Sequence, residues 1–564
     1  MSSPQYFKQW QIKILIALII LINFCGIFNP LIRNDDPALY ANIAKHMVLS
    51  NNWINLIVNN SDWLDKPHFP FWVAAIFFKL FGINSFAYIL PGFIFHLIGG
   101  FYTYRLARQL YSSKDVGLLA ALIYFSSLHL LISSIDVRAE AYLLGAIMPA
   151  CYYWWQYNSC EHKILISKLV KGAFFTAIAL MTKGLFVLIT IFSGLVIVWF
   201  KTHKLKNIIS LKWILAIVLS LVFITPELVA LYLQFDLHPE KLVFGHHGVS
   251  GIKWFFWGSQ FGRFFADGPI SINHIQPWHY LYFVHTFLWA FMPWSIIFYY
   301  VLFLNLKLIF TNFTANNPKH IAALYLVGSF IPTFILFSLT TFQLDHYTNI
   351  IMPFAAILCA SWFANFRINP QGKPNHPLFY IQIALAYILT AAIILLSLFI
   401  LGQEWIMLVL LVGLVILILY ICFAHKDDLI KAFLYPVLAI GLLFIFLIEI
   451  NKIAIKYDLG YQSAKIINHS NNYYPVVDYD DNSLTLQFYI HNKYLYINTP
   501  KLLEQVNKPY YLIVKEQQLP QLDLSDYEQL SLIQAATIDK VIANLLTRPD
   551  LKNAANNYVV LLVK

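Results

Sequence analysis

Charge is what this sequence has least of. Lys, Arg, Asp and Glu supply 12% of its 564 residues, about half the roughly 25% of ordinary soluble domains. That scarcity excludes a soluble globular chain of this size. Cysteine is sparse too. Cys25, Cys151, Cys359 and Cys422 lie in or beside apolar runs and Cys160 in a short polar loop, so neither a disulfide framework nor a zinc spacing is present. His238, His246, His247 and His274 share one long loop but match no metal-ligand spacing, and neither metal nor cofactor is expected. Repeats of solenoid or inverted-transporter type are not evident. The first apolar run is too long for a signal-peptide core and has no small-residue cleavage site behind it, so it reads as a retained anchor.

What fills the chain is apolar: 59% of its residues are hydrophobic, and 17% of all residues are aromatic. A helix spans a bilayer with about 20 apolar residues. Runs of that kind lie at 12–32, 86–104, 117–135, 139–157, 164–182, 185–200, 211–233, 281–304, 321–341, 348–366, 377–401, 404–424 and 432–450. The expectation is an all-α polytopic membrane protein with about 13 transmembrane helices. Segment 69–82 is shorter and contains Lys79, which suits an interfacial or re-entrant helix. If it does not cross and the N-terminus is cytoplasmic, the inner segments carry 18 basic residues against four acids, and the outer loops nine against eleven. Inner loops are enriched in Lys and Arg, so this arrangement accounts for the net charge of +10 without nucleic acid. It sets Asp35, Asp36, Lys66, Asp136, Arg138, Lys183, Arg263, Asp345 and His346 on the outer face.

Composition changes near residue 457. Residues 1–456 read as the transmembrane domain, with long outer loops at 33–85 and 234–280. Residues 457–564 read as a small soluble α/β domain, extracytoplasmic after 13 crossings. Its expected strands are 474–479, 484–490, 494–497, 510–514 and 558–563, and its helices 500–506 and 538–546. Residues 37–50 read as a surface helix with Tyr40, Ile43, Ala44 and Met47 on one face, suited to lying in the interface.

Several polar residues at the outer boundary suit chemistry on a lipid-borne phosphate. Asp36 precedes Pro37 at a helix start. That is an ordinary capping pattern, yet a carboxylate there stays ionised and can take a proton from an attacking hydroxyl. Asp35 is its neighbour, a loop charge. Lys66 sits before Pro67 and near Pro70, which stiffen the backbone that aims it. It reads as a cation for a phosphate or as a snorkelling lysine. Asp136, Arg138 and Glu140 crowd one membrane mouth, where charges are either paired or working. Lys183 is a turn lysine or a further phosphate contact. Tyr347 is a belt tyrosine or a donor to a phosphate oxygen.

The order of these segments carries a resemblance. Asp-Asp-Pro-Ala-Leu-Tyr-Ala at 35–41, Trp-Leu-Asp-Lys-Pro-His at 63–68, Asp-Val-Arg at 136–138, Met-Thr-Lys-Gly at 181–184 and His-Tyr-Thr-Asn-Ile-Ile-Met-Pro at 346–353 resemble the bacterial branch of the protein O-mannosyltransferase superfamily, which includes the lipid A aminoarabinose transferases. The likeness covers roughly residues 10–365. It implies a GT-C membrane fold and a sugar moved from a polyprenyl-phosphate carrier to lipid A, a protein hydroxyl or another envelope acceptor at the outer face of the inner membrane. It implies a catalytic or acceptor-orienting role for Asp36 and matches its second acidic loop to Asp136. It implies donor-phosphate binding by Lys66 and Tyr347, beside which Lys183 and Arg138 stand as further candidates. Asp35, Arg263 and His346 are accessory candidates. The chain departs from the branch at Leu39, at His68 and around Gln343 and His346, where basic residues or a proline are usual.

The expected function is therefore an inverting glycosyltransferase using a lipid-phosphate sugar. The alternative is a transporter or flippase of lipid-linked sugars, whose signatures are mid-span charges and repeated halves. A membrane scaffold would leave the outer acids and lysine without a role.

Overall fold

The computed structural model describes residues 9–59, 61–159, 164–262, 278–368, 376–400, 413, 428–470, 472–524, 526–536, 540–541 and 555–564. Helices dominate up to Ala454. Six are long and apolar enough to cross a membrane, or seven if a bent pair counts as one span. The chain is an integral membrane protein, but the six or seven such helices among the described residues leave the count of 13 unsupported. The expected run 404–424 lies outside the described residues.

The shortfall has physical causes. Run 117–135 divides into Lys114–Phe125 and Leu128–Ser133. At the break the Ser126 and Ser127 hydroxyls each donate at 2.6 Å to carbonyls one turn back, Leu122 and Ile123, competing with the helical ladder. Run 281–304 breaks between Tyr282–Ala290 and Ser295–Thr311, around Pro293, which has no N–H to donate. Run 211–233 bends by 44° at Ile224, just before Pro226. Segment 69–82 forms the 13-residue helix Phe69–Phe81, too short to span by itself.

Small residues bring the central helices together. Ser85–Tyr111 packs on Ala139–Asn158, and at Gly145 a Cβ would sit 2.7 Å from the Phe95 carbonyl oxygen. Glycine there permits a backbone approach that any side chain would block.

Helix Asp36–Ser50 forms as expected, but its environment differs. Tyr40, Ile43, Ala44 and Met47 are all buried inside the protein, packed with Phe71, Phe78 and Phe488. This face is therefore covered by protein and does not lie against lipid. Part of that cover comes from the C-terminal region. There the strand order is Tyr494–Ile497, Val476–Tyr479, Tyr510–Lys515, Asn556–Val563, Tyr527–Ala535. The first two pairings are parallel and the last two antiparallel. The expected strand 484–490 is instead the helix Leu484–Tyr489, started by the Ser483 hydroxyl accepting from the Leu486 N–H. Its alternating apolar residues fit one helical turn because Leu486 and Phe488 are both buried. Strand Tyr527–Ala535 was not anticipated. It is a mostly exposed edge strand with a bulge between Gln529 and Ser531, so its sequence shows little apolar alternation. The expected helix at 500–506 is the single turn Pro500–Leu503, and most of 538–546 lies outside the described residues.

Candidate active site

The acidic segment after the first helix is organised by one arginine. Arg138 donates from Nη2 to Asp35 Oδ2 at 2.6 Å, from Nη1 to Asp36 Oδ2 at 3.4 Å and from Nε to Asp136 Oδ2 at 3.3 Å. Arg33 adds an ion pair to Asp136 at 3.8 Å. Burial works against the Arg138 charge, but Asp136, Asp35 and Asp36 together outweigh it and raise its pKa. Asp35, not Asp36, occupies the cap position of helix Asp36–Ser50, and its side chain makes no cap. The carboxylate goes to Arg138 instead. Asp36 holds the arginine by the longer contact and is 36% exposed at its side chain, against 15% for Asp136. Asp35 is more exposed, at 46%, but is held by the shortest contact, so Asp36 is the accessible carboxylate that Arg138 grips less closely.

Lys66 follows Asp65 just before helix Phe69–Phe81, and the two side chains form an ion pair. Burial lowers the Lys66 pKa, while Tyr347 and Asp36 act to raise it. The proline that follows and His68 fix the lysine's backbone. His68 is fully buried. Its ring Nδ1 lies 3.0 Å from Glu227 Oε1, its N–H donates to Glu227 Oε2 at 2.9 Å, and its Nε2 meets the Ile54 carbonyl at 2.7 Å. The departure from the usual proline at this position is therefore a buried polar anchor. It ties the lysine loop to the bent helix pair.

Lys183 ends helix Ile166–Lys183. It pairs with Glu140, both side chains almost fully buried, and its ammonium lies 3.8 Å from the Tyr347 ring centroid. His346 stands behind, 3.8 Å from the other Glu140 oxygen. Gly184 follows at φ +90°, and a Cβ there would strike the Gln260 side chain at 2.3 Å. Gln260 in turn accepts from the Phe186 N–H at 3.2 Å.

Lys66, Lys183 and Tyr347 line one cavity of about 290 Å³ together with Asp65 and Gln260 and with the apolar side chains of Leu185, Phe186, Ile189, Phe337 and Phe342. Two cations in an otherwise apolar cavity match a phosphate on a hydrocarbon chain. Thus the structure gathers Lys66, Lys183 and Tyr347 in one cavity. Asp36 lies close enough for its charge to act on both lysines. Arg138 is placed elsewhere than expected for a phosphate ligand: it holds the three aspartates and does not line this cavity. Asp35 and Asp136 share it, and His346 supports Glu140. Arg263 lies outside the described residues. Among the described residues no group of three His, Cys, Asp or Glu could hold a metal ion.

Two buried carboxylates that pair with residues of this region, Glu140 with Lys183 and Glu227 with His68, escaped the sequence reading. Glu140 was noticed only as a neighbour of Arg138, and nothing local tied it to Lys183. Glu227 was legible as an acid just after a proline inside an apolar run, a placement that marks a paired or working group.

The chain is similar to known proteins in sequence and in fold. The sequence model of the dolichyl-phosphate-mannose-protein mannosyltransferases matches residues 65–229. The chain is 24% identical over 391 residues to the undecaprenyl phosphate-alpha-4-amino-4-deoxy-L-arabinose arabinosyl transferase 2 of Proteus mirabilis, covering 68% of this chain and 65% of that one. It is 24% identical over 286 residues to the corresponding transferase of Photorhabdus laumondii, covering 50% and 48%. The chain thus spans less than two thirds of the length of the curated relatives it matches. Among solved structures, ArnT from Cupriavidus metallidurans bound to undecaprenyl phosphate superposes with a TM-score of 0.73 at 16% identity over 98% of each chain. The chain has the GT-C fold and resembles, within the protein O-mannosyltransferase superfamily, the branch of the lipid A aminoarabinose transferases.

Proposed function

We propose that this protein is an inverting glycosyltransferase. It moves a sugar from a polyprenyl-phosphate carrier to an envelope acceptor, lipid A or a protein hydroxyl, at the outer face of the bacterial inner membrane. The observation that carries the reading is the apolar cavity closed by Lys66, Lys183 and Tyr347 beside Asp36. The polyprenyl chain lies along the phenylalanines and the phosphate ester meets the two ammoniums.

The acceptor hydroxyl oxygen attacks the anomeric carbon and its proton passes to Asp36. The bond from that carbon to the phosphate oxygen breaks, and the phosphate keeps the electron pair. Lys66 and Lys183 stabilise the charge that develops there, and the Tyr347 hydroxyl donates to it. Removing one such donor costs about 10²–10³ in rate. Side-chain cations thereby supply the charge that a metal ion would otherwise bring. Arg138 keeps three carboxylates within reach of one another.

The test is transfer by the purified protein from a radiolabelled undecaprenyl-phosphate sugar. Release of undecaprenyl phosphate that depends on an added acceptor is the expected result. Movement of the intact donor across a vesicle bilayer, without release, would replace the transferase with the flippase.

A further inference from the structure

His68 and Glu227 touch neither phosphate nor sugar in the proposed reaction. Both side chains are fully buried, and ionisable groups inside a membrane protein are costly unless paired or working. Glu227 stands in the first turn of Thr225–Leu231, just past the 44° bend. Its carboxylate reaches the turn that follows Lys66. Oε2 accepts the His68 N–H at 2.9 Å, and Oε1 lies 3.0 Å from the ring Nδ1. The other ring nitrogen lies 2.7 Å from the Ile54 carbonyl oxygen, in the loop that follows helix Asp36–Ser50. The His68 carbonyl accepts from the N–H groups of Phe71 and Trp72, both at 3.0 Å, and so starts helix Phe69–Phe81. One histidine thus joins the lysine turn, the loop after the Asp36 helix, the helix that follows, and the bent pair.

What the two ring nitrogens meet fixes the hydrogens in this contact. A carbonyl oxygen only accepts, so Nε2 carries a hydrogen. The contact between Nδ1 and Oε1 needs a second, on the ring or on the carboxyl. In either form the pair is neutral as a whole, and no charge is stranded in the interior. The ring also packs on Trp72, centroids 5.1 Å apart, and Trp72 Nε1 donates to the Trp53 carbonyl at 2.7 Å. With both nitrogens and one face engaged, the ring is held in one orientation.

Gln234, about two turns beyond Glu227, makes a second tie to the same loop. Its Oε1 accepts from the Leu56 N–H at 2.9 Å, and its Nε2 donates to the Leu56 carbonyl at 3.0 Å and to Asp62 Oδ1 at 2.9 Å. The bent pair therefore grips this segment at two points. Lys66 lies two positions before His68 with Pro67 between, and the proline restricts the backbone on both sides of the bond. Where the Lys66 ammonium sits thus follows from where His68 is held.

We propose that His68 and Glu227 are a positioning pair for sugar transfer, a neutral clamp that sets Lys66 against the helix bearing Asp36. This rests on the transferase reading for its meaning, but the hold on Lys66 can be measured without it. Neither residue touches the reacting atoms. His68 acts through the backbone of Lys66 and the carbonyl of Ile54. A 1 Å misplacement of a group at a reacting centre costs about 10²-fold in rate.

The experiment uses the full-length protein in dodecyl maltoside. His68→Ala and Glu227→Ala should each lower kcat about 10²-fold and leave the acceptor KM unchanged. In a Lys66→Ala background the His68→Ala loss should nearly vanish, because it acts through that lysine. Glu227→Gln should rescue the turnover lost in Glu227→Ala: its amide oxygen accepts the His68 N–H, its amide nitrogen donates to Nδ1, and Nε2 still donates to Ile54. Without any donor, reductive methylation by formaldehyde and cyanoborohydride, read by mass spectrometry, should modify Lys66 about tenfold faster in His68→Ala than in the parent. That is the loss of one hydrogen bond to a charged group in the hold on the loop. Unchanged kcat in both alanine variants, a full further loss in the Lys66→Ala background, or equal methylation rates would overturn the proposal. So would a folded Glu227→Gln as slow as Lys66→Ala, which decides the matter even where an alanine variant does not fold. No transfer by the unsubstituted protein would instead overturn the transferase reading, while the methylation rates would still report the clamp.

Discussion

Replacing Glu140 by Gln tests whether Lys183 is a buried cation held ready for a phosphate. The Glu140 and Lys183 side chains are 2% and 8% exposed, so solvent screens their interaction little. Removing one member of such a pair leaves an uncompensated buried charge and costs about 3–5 kcal/mol. Here the cost is sharpened because the Lys66 charge also acts on Lys183, and the Tyr347 ring is a weak substitute at about 1–2 kcal/mol. The double variant Glu140→Gln with Lys183→Met removes both charges and should recover most of the loss, because paired deletion of buried ions is often near neutral. Lys183→Met alone also strands a buried charge, so the coupling in the cycle is expected to be at least about 3 kcal/mol. The assay is unfolding by dodecyl sulfate titration from dodecyl maltoside micelles, followed by circular dichroism. Undecaprenyl phosphate should stabilise Glu140→Gln more than the parent, since its phosphate takes the carboxylate's place. A double variant as unstable as Glu140→Gln alone would show that Glu140 acts through something other than Lys183, and the ready cation would be refuted.

Asp36→Asn and Lys66→Ala should each lower sugar transfer by about 10²–10³ at normal protein yield, and near-normal turnover in either purified variant removes that residue from the mechanism. In the C-terminal domain, burial lifts Asp478 to about 6, above the usual carboxylate value near 4. The native state then binds the proton that the unfolded chain releases, so stability is greatest below about pH 4 and falls as pH rises to about 6, by up to roughly 3 kcal/mol. Asp478→Asn should flatten that dependence in hydrogen exchange of residues 476–497, and a slope that survives the substitution would assign it elsewhere. For the outer-face geometry, cysteines placed at Ser61 and Tyr473 in a cysteine-free background should react with an impermeant maleimide in intact spheroplasts, and one at His203 should not. Labelling of His203→Cys with protection of the other two would invert the topology.

Hydropathy located helices well because burial in lipid and burial in protein select the same residues. It could not count crossings for that reason. Run 117–135 is apolar throughout, yet Ser126 and Ser127 turn their hydroxyls on the ladder and break it. Run 281–304 breaks around Pro293, which an apolar count passes over. The same limit explains Leu484–Tyr489, where alternating leucine and phenylalanine fit a half-buried strand. The helix wins because Ser483 caps it and because Lys45 donates from one ammonium to the carbonyls of Gln487, Phe488 and Ile490 at 2.7–2.9 Å. That contact joins residues more than 440 positions apart, and no local window contains it.

The same distinction divides the site. Asp36, Lys66 and Tyr347 were legible because each stands beside punctuation that local reading detects, a proline or the end of an apolar run. Their partners were not, since Lys183 meets Glu140 across 43 positions and His68 meets Glu227 across 159. What the partners add is polarity across the site. The acids Asp35, Asp36 and Asp136 gather around Arg138, while Lys66 and Lys183 gather at the apolar cavity, each held by a single carboxylate, Asp65 and Glu140. A reaction that creates charge on a leaving phosphate while removing a proton from a nucleophile needs cations on one side and a base on the other. Held this way, the lysines can exchange Asp65 and Glu140 for phosphate oxygens without crossing a state in which a buried ammonium is unpaired. Neither lysine alone, nor the acid trio alone, would provide that exchange. In the proposed reaction catalysis depends on the separation of the acid trio, Asp36 included, from the two lysines, and that separation arises only when the distant carboxylates are folded into place.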